Sequence, residues 1–349
     1  MDLEQKISEL RNELKTDRLD MSFGEIMSIF ESGDLIISPE YQRAYRWTDE
    51  QKTRFIESIL LGIPIPPIFV AEDTSGKWEL VDGLQRISTI LSFFGLLTAL
   101  PEKNKFALSE TELLDELPVG LTCDTLPVKL KRTLQRAVCR VEILRWDSQL
   151  DMRYELFNRL NTGASPLKEQ EIRNCIFTGE FNNLLHALSQ DADFLNIVVP
   201  TEKQKEEMFL EELVLRFFAF KFEYRDFIVH ESIQTYLTHF MKDIKKGVIA
   251  FDANVETEHF YNVVKFLNAN LDYTIFRAKN GLFTPNLYDT VMYVASKFYN
   301  YYSTRPLEFK NKFNELRSDD TYMTASGAST YATRRMQAKI KRAIEIFNA

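Results

Sequence analysis

The sequence predicts an α+β protein: a small mixed sheet in a first part of roughly 150 residues, followed by an all-α part of roughly 200. Short apolar or alternating runs at residues 35–37, 68–71, 78–81 and 137–144 read as strands, and all of them lie in the first part. From residue 151 onward apolar positions recur at helical spacing to the end. The composition, 45% hydrophobic and 27% charged over 349 residues, is that of a globular chain with room for two or three cores. The expected divisions are an N-terminal helix at residues 1–21, a strand-bearing domain at 22–148 and a helical domain at 149–349.

Leu3, Ile7, Leu10 and Leu14 are spaced as on an amphipathic helix over residues 2–18. Ser22 and Glu25 form a capping-box pattern that opens a second helix, which Gly33 ends. Thr48 and Gln51 open a third, with Phe55, Ile56, Ile59 and Leu60 on its apolar side, and Gly62 suits a left-handed cap. Pro64, Pro66 and Pro67 then force an extended path. Residues 72–77 read as a hairpin turn between two strands. Residues 96–135 are mixed and variable in character, with an acidic patch at Glu110-Thr111-Glu112. Asn161, Thr162 and Gly163 make a turn, and Ser165-Pro166 opens a helix at 167–177. Further helices are expected near 181–188, 206–222, 231–242, 256–271, 285–301, 306–316 and 331–347.

Two stretches carry chemistry. Val81-Asp82-Gly83-Leu84-Gln85-Arg86 lies between a strand and a helix that stops at Gly95. The free N–H groups at a helix start favour anions. Gly83 permits close backbone approach, Arg86 can fork onto a phosphate, and Asp82 can hold a cation or orient a water. The bland reading is a local Asp82–Arg86 ion pair at the helix start. The second stretch is Tyr41-Gln42-Arg43-Ala44-Tyr45-Arg46-Trp47, dense in arginine and aromatic rings. It is either a loop pinned by its own rings, with Arg stacked on them, or a ligand loop in which Gln42 and Arg43 face a nucleotide.

Composition excludes several classes. A net charge of −8 argues against a broad basic surface for DNA. Cys123, Cys139 and Cys175 are far apart and fit a reducing cytoplasm. The four histidines have no metal-ligand spacing. No apolar run is long enough to span a bilayer, and no signal peptide is expected. The Phe217-Phe218-Ala219-Phe220 run is expected in a core.

Four stretches in order resemble one family: residues 37–47, residues 55–67, the Asp82-Gly83-Leu84-Gln85-Arg86 turn, and Phe157-Asn158-Arg159-Leu160-Asn161-Thr162-Gly163 with Leu167, Glu171 and Ile172. Together, over residues 22–220, they resemble the N-terminal domain of GmrSD-type restriction enzymes, within the ParB/sulfiredoxin-like superfamily. The resemblance implies a cytoplasmic domain of phage-defence systems that binds and hydrolyses nucleoside triphosphates and acts on or senses modified DNA. It implies that the Asp82–Arg86 turn handles phosphate with Tyr41-Gln42-Arg43 beside it; in the mechanism expected here Asp82, Gln85 and Arg86 carry the chemistry, with Asp82 on Mg²⁺. Tyr41, Gln42, Arg43, Arg46, Gly83, Asn158 and Asn161 would bind the nucleotide, and Tyr41, Tyr45 or Trp47 would stack on its base. The bland reading of Asn158 and Asn161 is a polar helix end bonding its own backbone.

Two departures stand out. Leu84 occupies a position where the family usually has a second glutamine, which bears on hydrolysis. The histidines do not build the His-Asn-His nuclease of many relatives, so a separate nuclease or defence-complex subunit is the expected partner. A non-hydrolysing nucleotide or DNA sensor is the alternative reading, and a ParB-like DNA nuclease a third. Glu171 reads as a capping acid, and Arg216 as an interface or ion-pair residue with Glu211 or Glu212. The basic stretch Arg334, Arg335, Lys339, Lys341 and Arg342 reads as a solvated helix face or, more sharply, a DNA or partner contact.

Overall fold

The structure is a computed structural model that describes residues 3–5, 7, 15–37, 45–73, 75–98, 100–114, 117–145, 154, 159, 168–224, 232–278, 280–324 and 332–348. The chain divides into two compact units, residues 1–176 and 177–349. No helix among the described residues is long and apolar enough to cross a membrane.

The first unit runs β1 (Thr16–Ser22), α1 (Phe23–Glu31), β2 (Leu35–Ile36), α2 (Asp49–Leu60), β3 (Ile68–Glu72), β4 (Trp78–Asp82), α3 (Leu84–Phe94), α4 (Val128–Arg136), β5 (Val138–Leu144) and α5 (Glu169–Ile176). Its five strands form one mixed sheet in the order β1-β5-β3-β4-β2. β1 is antiparallel to β5, β5 parallel to β3, β3 antiparallel to β4, and β4 parallel to β2. The α+β expectation therefore holds, with the sheet confined to the first unit.

Local chemistry explains the elements. The Ser22 hydroxyl accepts from the Glu25 N–H while the Glu25 carboxylate accepts from the Ser22 N–H, and Thr48 and Gln51 repeat the exchange at α2. Gly62 takes the left-handed conformation, φ +70°, directly after α2, as its position requires. Val70 and Leu80 are fully buried in the adjacent strands β3 and β4. α1 and α2 each pack against α4, and α2 also packs against α3.

Two expectations are corrected. The helix expected over residues 2–18 gives way at Thr16 to strand β1, because residues 16–22 pair with residues 144–138 of β5 and the ladder supplies the backbone partners a helix would have supplied. Residues 128–136, in the stretch of mixed character for which the sequence predicts no element, form helix α4, whose apolar anchor is the fully buried Leu134.

Among the described residues the elements of the second unit are helices: α6 (Glu180–Ser189), α7 (Ala192–Val198), α8 (Glu202–Glu206), α9 (Phe209–Lys221), α10 (Ile233–Lys245), α11 (Ala253–Asn270), α12 (Pro285–Lys297), α13 (Tyr299–Tyr302), α14 (Pro306–Ser318), α15 (Asp320–Thr324) and α16 (Ala332–Phe347). Phe217, Phe218, Ala219 and Phe220 of α9 are all buried, as their run predicts. Arg216 is buried too and pairs with Asp289 of α12 and with Glu212, 3.5 Å away, so its partners lie inside this unit. The solvated face expected for α16 is only partly so. Lys339 is buried with its Nζ 4.3 Å from the Tyr322 ring centre, and Arg342 pairs with Asp319 and Glu345.

Candidate functional site

Strand β4 delivers Asp82 to the start of α3. Gly83 sits between them with φ +100°, a left-handed conformation that side chains resist. A Cβ at this position would stand 2.5 Å from Cγ2 of Ile68, so the close approach Gly83 allows is to the first residue of β3. Among the described residues no side chain caps the start of α3 at Gly83.

Arg86 lies one turn into the helix and is largely buried. Its Nη2 donates to Oδ2 of Asp82 at 2.6 Å, and its Nη1 donates to the carbonyls of Pro66 and Pro67 at 2.6 and 3.0 Å. The local Asp82–Arg86 ion pair is thus present, and the same guanidinium fastens the proline segment that leads into β3. The Asp82 side chain keeps 37% of its exposure, so the carboxylate stays open to solvent while one oxygen is paired.

Gln85 joins the two stretches that the sequence singled out. Its Oε1 accepts from the backbone N–H groups of Arg46 and Trp47, at 3.0 and 3.1 Å. The Tyr45 hydroxyl lies 3.2 Å from Oγ1 of Thr89, one turn further along α3, and its carbonyl accepts from Lys103 Nζ at 2.7 Å. The ring is buried, with Lys52 and Lys103 ammonium groups 5.2 and 5.4 Å from its centre. Burial pushes the Tyr45 phenol up to about 12. A ring so enclosed is not available to stack on a base, which corrects that expectation for Tyr45. Trp47 is half-buried and meets Phe55 edge-on at 5.5 Å.

Arg46 is an exposed cation of this corner. Its Nη2 lies 4.0 Å from Oε1 of Glu171, whose other oxygen accepts the Lys168 N–H at 2.7 Å. Glu171 therefore does the capping work expected of it and also faces Arg46. Leu84 is buried, so the position that departs from the family pattern points into the core. Tyr41, Gln42, Arg43, Asn158 and Asn161 lie outside the described residues. Asp82 offers a single carboxylate, and no group of three metal-ligating side chains occurs among the described residues. One carboxylate with waters and substrate oxygens is a donor set that suits Mg²⁺.

The residues the sequence did not single out are those that hold the corner in place. Glu57 of α2 is buried and accepts from the N–H groups of Leu113 and Leu114, at 2.7 and 2.8 Å. Lys52 is buried on the same helix, and Lys103 sits in a short turn after α3. The one signal for them is a charge standing among apolar positions of α2.

No curated protein and no solved structure matches the chain. Residues 25–178 match the family model described as GmrSD restriction endonuclease, N-terminal domain.

Proposed function

We propose that the chain is a nucleoside-triphosphate-binding and hydrolysing component of a bacterial restriction or anti-phage system that acts on or senses DNA. The observation that carries this reading is the uncapped start of α3, with the open carboxylate of Asp82 on one side and residues 46–47 fastened beside it by Gln85. The triphosphate would lie against the first N–H groups of α3, where backbone dipoles favour anions. Arg46, exposed and only loosely held by Glu171, would turn onto phosphate oxygens. Asp82 would hold Mg²⁺, which when bound neutralises phosphate charge. Gln85 serves as a positioning residue, because its amide oxygen is taken by the loop. Arg86 fixes Asp82 and the proline segment from behind.

A second reading is favoured by those same commitments. Gln85 and Arg86 spend hydrogen bonds on the protein's own backbone, which suits a nucleotide sensor without turnover. Phosphate release from a panel of triphosphates with Mg²⁺, alongside nucleotide binding by calorimetry, separates the two. Asp82→Asn is expected to cost roughly 2–4 kcal/mol of transition-state stabilisation, a loss of at least tenfold in turnover. Binding without phosphate release would select the sensor. Unchanged turnover in Asp82→Asn would remove this turn as the site.

A further inference from the structure

Helix α4 is the most one-sided element of the first unit. Its nine residues, Val128-Lys129-Leu130-Lys131-Arg132-Thr133-Leu134-Gln135-Arg136, hold four cations and no acid, in a chain of net charge −8. Lys129, Arg132 and Arg136 line one wall of a cleft of about 1270 Å³. The facing wall is the Ile63-Pro64-Ile65 segment that follows α2. The two carboxylates in the lining are already matched. Asp20 pairs with Arg140 at 2.9 Å, and Glu142 pairs with Arg18 at 2.9 Å. Lys129, Arg132 and Arg136 are exposed, and among the described residues none of them has a carboxylate partner. The cleft thus keeps unneutralised positive charge on one helix face. In α16, by contrast, Arg342 is neutralised and Lys339 is buried.

Spacing selects the ligand. Positions 129, 132 and 136 stand on one helix face and span about 10 Å along its axis at 1.5 Å per residue. One strand of a DNA duplex presents a phosphate about every 3.4 Å along its axis, so the row has the reach of about three phosphates. A compact anion would meet one or two of these cations, whereas a linear polyanion meets all three. The absence of aromatic rings from the lining argues against stacked single-stranded bases.

We propose that the α4 cleft is a docking surface for the phosphate backbone of duplex DNA, separate from the Asp82 turn and independent of sequence. The proposal rests on the reading that this chain works on DNA, but not on nucleotide hydrolysis. Arg86 connects the cleft to the turn, since one of the carbonyls it holds is that of Pro67, a residue of the cleft lining.

The test is anisotropy of a labelled duplex with the full chain across a salt series, without nucleotide. The parent is expected to bind, and Lys129→Glu/Arg132→Glu/Arg136→Glu to lose at least about tenfold in affinity. The log–log salt slope is expected to fall by about 2.7, the release expected for three contacts. The glutamine triple variant should lie between the two, and Lys203→Glu in the second unit should match the parent. Circular dichroism melts of each variant establish that the fold is kept. A triple variant with the parent's affinity and salt slope overturns the proposal. So does a parent that ignores duplex DNA but binds polyglutamate through these cations, an outcome that would give the cleft to an acidic protein. Nucleotide binding at the Asp82 turn is measured on the same samples. Its absence would sink the hydrolase reading and leave the DNA isotherms to stand.

Discussion

Gly83 shows how one residue can be read correctly for its conformation and differently for its purpose. A strand-to-helix turn needs the left-handed region, and glycine reaches it without strain. What the sequence does not show is the neighbour: Ile68 occupies the space where a Cβ would stand. Gly83→Ala is therefore expected to destabilise the protein by about 1–3 kcal/mol, from backbone strain and displacement of Ile68. The midpoint of urea unfolding measures it, and an unchanged midpoint would show that β3 yields freely. Arg86 teaches the same lesson. Its guanidinium was legible as a phosphate ligand or an ion-pair partner, and the pair with Asp82 is found. Its bonds to Pro66 and Pro67 depend on a loop twenty residues upstream returning to the helix, which no local pattern announces.

At the scale of elements, the corner is assembled by side chains that grip backbone. Gln85 of α3 holds residues 46 and 47, and Glu57 of α2 holds residues 113 and 114. A buried carboxylate accepting several N–H bonds replaces the partners that these irregular segments would otherwise lack. Glu57→Gln preserves the shape but turns an amide NH₂ toward backbone donors. The expected cost is about 1–3 kcal/mol, with faster hydrogen exchange at Leu113 and Leu114. Exchange that stays slow at both amides would mean the segment is ordered by its own packing. Helices α1 and α2 were legible from their capping boxes, and α3 from its glycine ends. Helix α4 was not, because it opens at Pro127 without a side-chain cap and lies in a stretch of mixed character.

At the scale of the whole chain, each unit has its own buried core, and both bury tyrosine hydroxyls. The phenols of Tyr45, Tyr302 and Tyr322 are pushed up to about 12 from an ordinary 10.0, chiefly by burial. Each makes hydrogen bonds as the neutral phenol, to Thr89, the Phe347 carbonyl and Thr290. In the unfolded chain these groups ionise near pH 10, whereas the folded chain resists ionisation until about 12. Their contribution is complete below pH 10 and is lost as the pH climbs from 10 to 12. The melting temperature is expected to fall across that window, and to fall less in Tyr45→Phe. A flat profile in the parent would show that these hydroxyls reach solvent. The buried Arg216–Asp289 pair works within the helical unit alone: removing Arg216 would leave the buried Asp289 carboxylate without its cation.

The sequence by itself determined the elements whose causes are local. Strand alternation, capping boxes, the glycine stops and the order of sheet before helices all follow from neighbours within a few positions. It also carries the resemblance to the GmrSD N-terminal domain, and the family model of that description matches residues 25–178. Tertiary structure alone decided which chemical groups remain open and which are spent. It committed Gln85 to a loop forty residues away and buried Tyr45 beneath two lysines. It left Asp82 open to solvent and set the three cations of α4 along a cleft. The physical reason is the same in each case. A side chain's hydrogen bonds and exposure depend on whatever the fold brings against it, and that partner is usually far away in the chain.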